Sequence, residues 1–241
     1  MTWLWRICSS GLFTLPALAA TLSGTVRIVD SSDTGVRKRS DFSGVVVWLE
    51  PVGTRIVPPL SAGAPRAKMI QKDKRFVPHV LAVRTGSIVD FPNYDPIFHN
   101  AFSNFSGQIF DVGLYPPGST RGVEFKRSGI VRIFCNIHPT MSAVIVVLDT
   151  PWFGISSASG GFEIRDVPPG DFQLHVFHER ATEKTLQALA RRIAVNHSNS
   201  VVAPLIITET GYVETPHKNK HGNDYPAAAG EGGRYHFGHK Q

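Results

Sequence analysis

Short runs of Val and Ile, each closed by Gly, Pro, Ser or Asp before it can grow long, recur along most of this chain. "LSGTVRIVD" (22–30), "FSGVVVWLE" (42–50) and "RFVPHVLAVRTGSIVDF" (75–91, turning at Thr85-Gly86) have this form. So do "GVEFKRSGIVRIFC" (122–135), read as a strand pair about Ser128-Gly129, and the continuous apolar run "SAVIVVLD" (142–149). β-branched residues bounded by turn formers specify strands. Prolines interrupt any regular element between 51 and 66, Gly and Pro are raised at 22 and 17 of 241 residues, and helix-favouring runs are scarce. The spacing predicts an all-β chain built as a β-sandwich.

At "TPWFGISSASGG" (150–161) the apolar strand stops and small residues take over, which predicts a boundary near 151. Alternating strands resume in "GFEIRDVPPGDFQLHVFHE", "RRIAV" and "VVAPLIITE", so a second, small β-sandwich is expected over 151–210, with "EKTLQALARRI" offering one short helix. Residues 20–66 read as a separate set of N-terminal strands. From Gly211 to Gln241 aliphatic residues are few and Gly, Lys and His abundant, so a disordered tail is expected. Residues 1–19 combine Arg6, the apolar "GLFTLPALA" and the small-x-small Ala17-Leu18-Ala19, the pattern of a cleaved export signal. No run approaches the roughly 20 apolar residues of a membrane helix. A periplasmic or secreted location follows.

Of the two cysteines, Cys8 leaves with that signal and Cys135 remains alone. A lone thiol in an oxidising compartment must be buried, reactive or metal-bound. The strand period of two places Val131, Ile133 and Cys135 on one face and Ile130, Arg132 and Phe134 on the other, which turns Cys135 inward. Directly after it, "CNIHPTM" carries His138 and Met141 on one tight loop, and His99 in "FPNYDPIFHN" follows another strand. Two imidazoles, a thiolate and a thioether suit copper. Zinc competes for His and Cys, but Met is a poor zinc ligand and structural zinc sites recruit more cysteines. Asp95 could add an oxygen, although its ordinary role in "NYDP" is turn chemistry.

His99-Asn100 after a strand, followed by "CNIHPTM", resembles the cupredoxin (blue copper) family over about 67–150, in the plastocyanin and amicyanin-like manner. "DFPNYDPIFHN" and "CNIHPTMSAVIVVLDTP" also resemble periplasmic methylamine-utilisation-like proteins. The resemblance implies a Greek-key cupredoxin sandwich with one copper ion held by His99, Cys135, His138 and Met141. It further implies that Asn100 ties the two ligand loops together and that His138 is the surface exit for electrons. Phe98, Phe102, Phe134 and Ile137 would exclude water. "SGGFEIRDVPPGDFQLHVFHE" resembles the carboxypeptidase regulatory-like, transthyretin-like module, and "LSGTVRI...GVVVWLE" is faintly similar to it.

The implied function is one-electron transfer by a non-enzymatic carrier, or alternatively copper binding and delivery, or a scaffold with a partner- or carbohydrate-binding module. The formal charge of +6 favours an acidic redox partner or an anionic surface, and no nucleic acid is expected. Hydrolysis is disfavoured because the Cys-His pair lacks a third group and an oxyanion turn. His79 and His175 sit in strand patterns and read as structural, His178 with Glu179 as a weaker site, and His217, His221, His236 and His239 as tail residues.

Overall fold

A computed structural model describes residues 19–53, 57–60, 63–104, 107–213 and 217–225. The expected export signal lies almost wholly outside the described residues. The chain opens with β1 (Ala20–Val29), the short helix α1 (Thr34–Arg39) and β2 (Val46–Pro51). Ten strands follow: β3 (Arg66–Lys68), β4 (Ile70–Lys72), β5 (Arg75–Val77), β6 (Val80–Arg84), β7 (Ser87–Pro92), β8 (Phe102–Ser103), β9 (Phe110–Asp111), β10 (Thr120–Phe125), β11 (Gly129–Phe134) and β12 (Ser142–Leu148). The chain then adds β13 (Phe153–Ile155), β14 (Gly161–Val167), β15 (Gly170–Phe177), helix α2 (Glu183–Leu189), β16 (Arg191–Val195), β17 (Ser200–Val201) and β18 (Leu205–Thr208).

Four of the five sheets stack on one another, and β4 and β5 form a separate two-stranded one. In the outermost, β1 pairs with β14, β17 and β18; beneath it lies β13-β2-β15-β16. Leu22, Val26, Ile28, Val47, Leu49, Ile164, Phe172 and Leu174 fill the space between them. The third sheet is β6-β12-β11-β8-β9 and the fourth β10-β7-β3, enclosing Phe91, Tyr115, Phe125, Val131, Ile133, Cys135, Met141 and Ile145. The architecture is all-β, two sandwiches set face to face.

Chain order differs from the expectation of separate N- and C-terminal units. β1 and β2 are integral to the sheets formed by β13–β18, so residues 20–51 and 153–208 build one sandwich and the ligand-bearing strands are inserted between its halves. Local patterning reveals strands but not their partners, and the partners here are distant. The same limit explains the segments around Ser128-Gly129 and Thr85-Gly86. β10 pairs with β7 and β11 with β12, so each turn carries the chain across the core into the facing sheet rather than closing a hairpin. The helix pattern after Thr182 ends at Leu189 because Arg191–Val195 continues as β16 against β15. At Gly160 the backbone is left-handed (φ +86°) and a Cβ would stand 2.2 Å from the Val26 carbonyl oxygen, so only glycine closes the β13–β14 turn onto β1.

β12 joins the two sandwiches. Ala143, Ile145 and Val147 enter the inner core, and Val144, Val146 and Leu148 pack with Val80 and Ala82 against Val46 and Phe177 of the outer sandwich. Burial on both faces is why this strand reads as an unbroken apolar run. At the edge of this seam Glu179 meets His79 at 2.5 Å and Arg132 at 3.5 Å.

The seam has a pH signature. The Glu179 hydrogen bond raises the His79 pKa above its ordinary 6.5 against the opposing effect of burial. Burial opposes the charge on Glu179, but the bond to His79 and the charges of His79, Arg132 and Arg180 outweigh it and lower its pKa below 4.5. The His79 contribution is complete below pH 6.5 and fades as pH rises through its raised value; the Glu179 contribution is complete above pH 4.5 and fades as pH falls. Glu179→Gln should therefore lower the melting temperature most between these two values and progressively less toward pH 9, a comparison made by thermal unfolding across pH.

Candidate metal centre

The first loop, 93–101, is folded by its own side chains. Asn93 donates from Nδ2 to the Ile97 carbonyl (2.8 Å) and accepts from the Asp95 N–H (3.0 Å). Asp95 accepts from the backbone N–H groups of Asp73 (2.6 Å) and Lys74 (2.9 Å), the turn between β4 and β5. Both turn residues have φ of 54°, as a two-residue hairpin turn of this hand requires, and the carboxylate compensates a backbone that non-glycine residues resist. The same carboxylate lies 2.7 Å from His99 Nε2. Reciprocal backbone bonds with Tyr115 (3.2 and 2.9 Å) fix His99 from the other side, and the Tyr115 hydroxyl donates to the Phe91 carbonyl. His99 is fully buried. Its Nε2 is held by Asp95, so Nδ1 is the nitrogen presented to the core.

The second loop leaves β11 at Cys135 and returns as β12. Cys135 N–H donates to the Met141 carbonyl (3.1 Å) and Met141 N–H to that of His138 (3.0 Å), closing 135–141 as a tight turn. Asn100 joins the loops: its Oδ1 accepts from Asn136 N–H (3.0 Å), and its Nδ2 donates to Asp111 (2.6 Å). Cys135 and Met141 are fully buried, whereas His138 is half-buried.

Cys135 Sγ stands 3.5 Å from His138 Nδ1 and 3.8 Å from His99 Nδ1, and the donor atoms of the three residues all lie within 4.8 Å of one another. Burial pushes the Cys135 thiol up, opposed by backbone N–H groups of Ile137, Asn100 and His138 directed at the sulfur. Burial, then the neighbouring His99 and Lys74, push His138 down to about 4, so its ring is neutral at neutral pH. Burial also works against the Asp95 charge, but hydrogen bonds from Lys74, His99 and Asp73 hold its pKa below the usual carboxylate value.

This donor set fits a soft metal ion. A thiolate at about 2.3 Å and an imidazole nitrogen at about 2.0 Å from one ion, at angles between trigonal and tetrahedral, sit roughly 3.6 Å apart. A neutral His138 ring and a buried sulfur ringed by N–H donors suit such ligation. Among the described residues this is the one group of three His, Cys, Asp or Glu with donor atoms gathered closely enough to hold an ion.

The structure brings His99, Cys135 and His138 together and seats Met141 in the same core, closing the loop. Asn100 bridges the loops through Asn136. Phe102 and Phe134 are buried, Ile137 is partly so, and Phe98 is 44% exposed, so Phe98 does not seal the interior. His178 and Glu179 do not act together: His178 pairs with Glu209 at 2.7 Å, while Glu179 faces His79. His175 stacks on Trp48. Sequence reasoning missed Asp95 as the support of His99, because a spacing of four has no fixed geometry outside a helix. It also missed the packing of residues 217–225 on the second loop, where His217 stacks against Phe134 with ring centroids 4.0 Å apart. His236 and His239 lie outside the described residues.

No protein-family model matches the chain. Over 60 residues it is 33% identical to the methylamine utilization protein MauL of Methylorubrum extorquens, a stretch covering 24% of this chain and 53% of that relative. It therefore spans about half the length of the relative it matches. Among solved structures, a purple cupredoxin from Nitrosopumilus maritimus is similar at 19% identity and a TM-score of 0.31, covering 35% of this chain and 99% of the other. A reduced amicyanin variant gives 18%, a TM-score of 0.33, and 37% and 86% coverage. At these scores superposition assigns nothing, and the architecture rests on strand pairing and burial alone.

Asp95→Ala should lower stability by about 3 kcal/mol in denaturant unfolding, since three donors lose a buried charged acceptor. In nitrogen NMR of the metal-free protein, the wild-type His99 ring should show one tautomer protonated at Nε2, and the variant a mixture.

Proposed function

We propose that this chain is an exported mononuclear copper protein that transfers single electrons, with His99, Cys135, His138 and Met141 as ligands. The observation that carries the reading is the convergence of one buried thiol and two imidazole Nδ1 atoms from loops 36 residues apart in sequence. Copper, when bound, supplies a one-electron couple and accepts soft sulfur and nitrogen donors. The protein's own task is to hold those donors still. Asp95 keeps His99 Nδ1 directed inward, and Asn100 with the Asn136 N–H keeps the two loops in register. Met141 would be the fourth ligand; its burial in the same core as Cys135 and the bond from the Cys135 N–H to its carbonyl support that reading. Ligands that move little between charge states make electron exchange with a partner fast.

Delivery of the ion to another protein is less well supported. His99, Cys135 and Met141 are completely buried and His138 alone of the four reaches the surface, which leaves an incoming chelator one ligand to replace. The same exposure makes the His138 edge the exit for electrons. The net charge of +6 suits an acidic redox protein as the partner. The resemblance of the sequence motifs to cupredoxins and to methylamine-utilisation proteins supports this reading, which implies a periplasmic location. We read the chain as a carrier and not a catalyst.

Adding Cu(II) to the metal-free protein should produce an intense sulfur-to-copper absorption band that bleaches and returns on reduction and reoxidation. Cys135→Ser should abolish the band. Met141→Leu should retain it with an altered reduction potential, and an unchanged potential would overturn Met141 as a ligand. Absence of any band from correctly folded wild-type protein would remove the electron-transfer reading altogether.

A further inference from the structure

Residues 217–225 contain few aliphatic groups, yet they lie along the outside of the second ligand loop and contact it at several points. His217 stacks on Phe134, with planes 25° apart, and its Nε2 lies 2.7 Å from the Pro139 carbonyl oxygen. Lys220 N–H donates to Asn136 Oδ1 (3.0 Å), and its ammonium reaches Asp111 (2.8 Å), the carboxylate that also receives Asn100. The Tyr225 hydroxyl donates to the carbonyl oxygen of Cys135 itself (2.8 Å), and its ring meets His217 edge-on. The segment is folded on itself by Asn219, whose Oδ1 accepts from the N–H groups of His221 and Asn223, with Gly222 in the left-handed region at φ +77°. It needs no core of its own, because polar and aromatic contacts anchor it to a surface that is already ordered.

Every one of these anchors falls on 134–139 or on the Asn100-Asp111 pair that supports it. The backbone of Cys135 is thus held at both ends: its N–H within the loop by Met141, its carbonyl from outside by Tyr225. We propose that 217–225 is a strap belonging to the metal centre, with His217 and Tyr225 as positioning residues that keep the 135–141 loop closed over the Cys135 sulfur. The inference rests on the copper reading for its purpose but not for its existence, since all contacts are made by the protein alone. Removing the strap's anchors loosens the loop, so the buried thiol is exposed more often and a bound ion loses a fixed ligand geometry.

The test uses the full chain, metal-free and reduced, and measures the rate at which iodoacetamide alkylates Cys135. The double variant H217A/Y225F should react roughly tenfold faster than wild type, the change expected when two hydrogen bonds of ordinary strength no longer oppose local opening. Tyr225→Phe, which removes only the hydroxyl, should show an intermediate rate. His221→Ala, within the same segment but with no side-chain bond to the loop among the described residues, should react like wild type. Circular dichroism should be shared by all four proteins and the thermal midpoint of the double variant should fall by only about a few degrees, which separates loop opening from unfolding at the assay temperature. Equal alkylation rates for wild type and the double variant would overturn the strap. If the rates differ but the wild type shows no copper band, the strap stands and the copper reading fails; if the band forms and the rates are equal, the reverse holds.

Discussion

The whole arrangement depends on one strand being buried on both faces. β12 sends Ala143, Ile145 and Val147 into the core that contains Cys135 and Met141, and Val144, Val146 and Leu148 into the seam with the outer sandwich. Its first residue, Ser142, follows Met141 directly, so the second ligand loop is attached to a strand enclosed on both faces. Pairing with β11 on one side and β6 on the other leaves it no free edge. A loop whose closing end is so constrained can hold a short, bent conformation that would otherwise relax.

The ligand loops show the same economy of freedom in polar form. Asp95 carries a turn and a histidine, and Asn100 carries a neighbouring loop and a carboxylate, each side chain satisfying several buried groups at once. Buried polar groups left unpaired would be costly, and paired in this way they fix orientation. These bonds lie in the loops at one end of the inner sandwich, where the donors must be presented and apolar packing alone cannot orient them.

Much of this was legible in the residues. The period of two correctly turned Cys135 inward and Arg132 outward, because a strand leaves no other choice once one face is apolar. The continuous run 142–149 signalled burial on both sides without saying against what. The candidate donors were visible because sulfur is scarce and the Cys-x-x-His-x-x-Met spacing compact. What escaped was everything set by distant pairing: β1 with β14, β10 with β7, and the contact of Tyr225 with Cys135 across 90 residues. Composition also misleads for 217–225, since scarcity of aliphatic residues shows only that a segment cannot build its own core. It can still order on a surface that offers an aromatic ring and carbonyl oxygens.

The insertion of one sandwich within another bears on how the chain folds. Leu22 pairs with Ile164 and Thr25 with Gly161, contacts that close a loop of about 140 residues if the intervening chain is unfolded. Inside that loop, β11 and β12 are sequence neighbours, and so are β4 and β5. Formation of the inner sandwich brings the end of β2 and the start of β13 together, where Phe153 pairs with Trp48, and so shortens the effective loop before β1 must find β14. Local contacts forming first and distant ones afterwards is the order that loop-closure entropy favours. The ligand loops therefore belong to the part of the molecule with the shorter loops to close, and docking of the outer sandwich on β12 completes the burial that holds them.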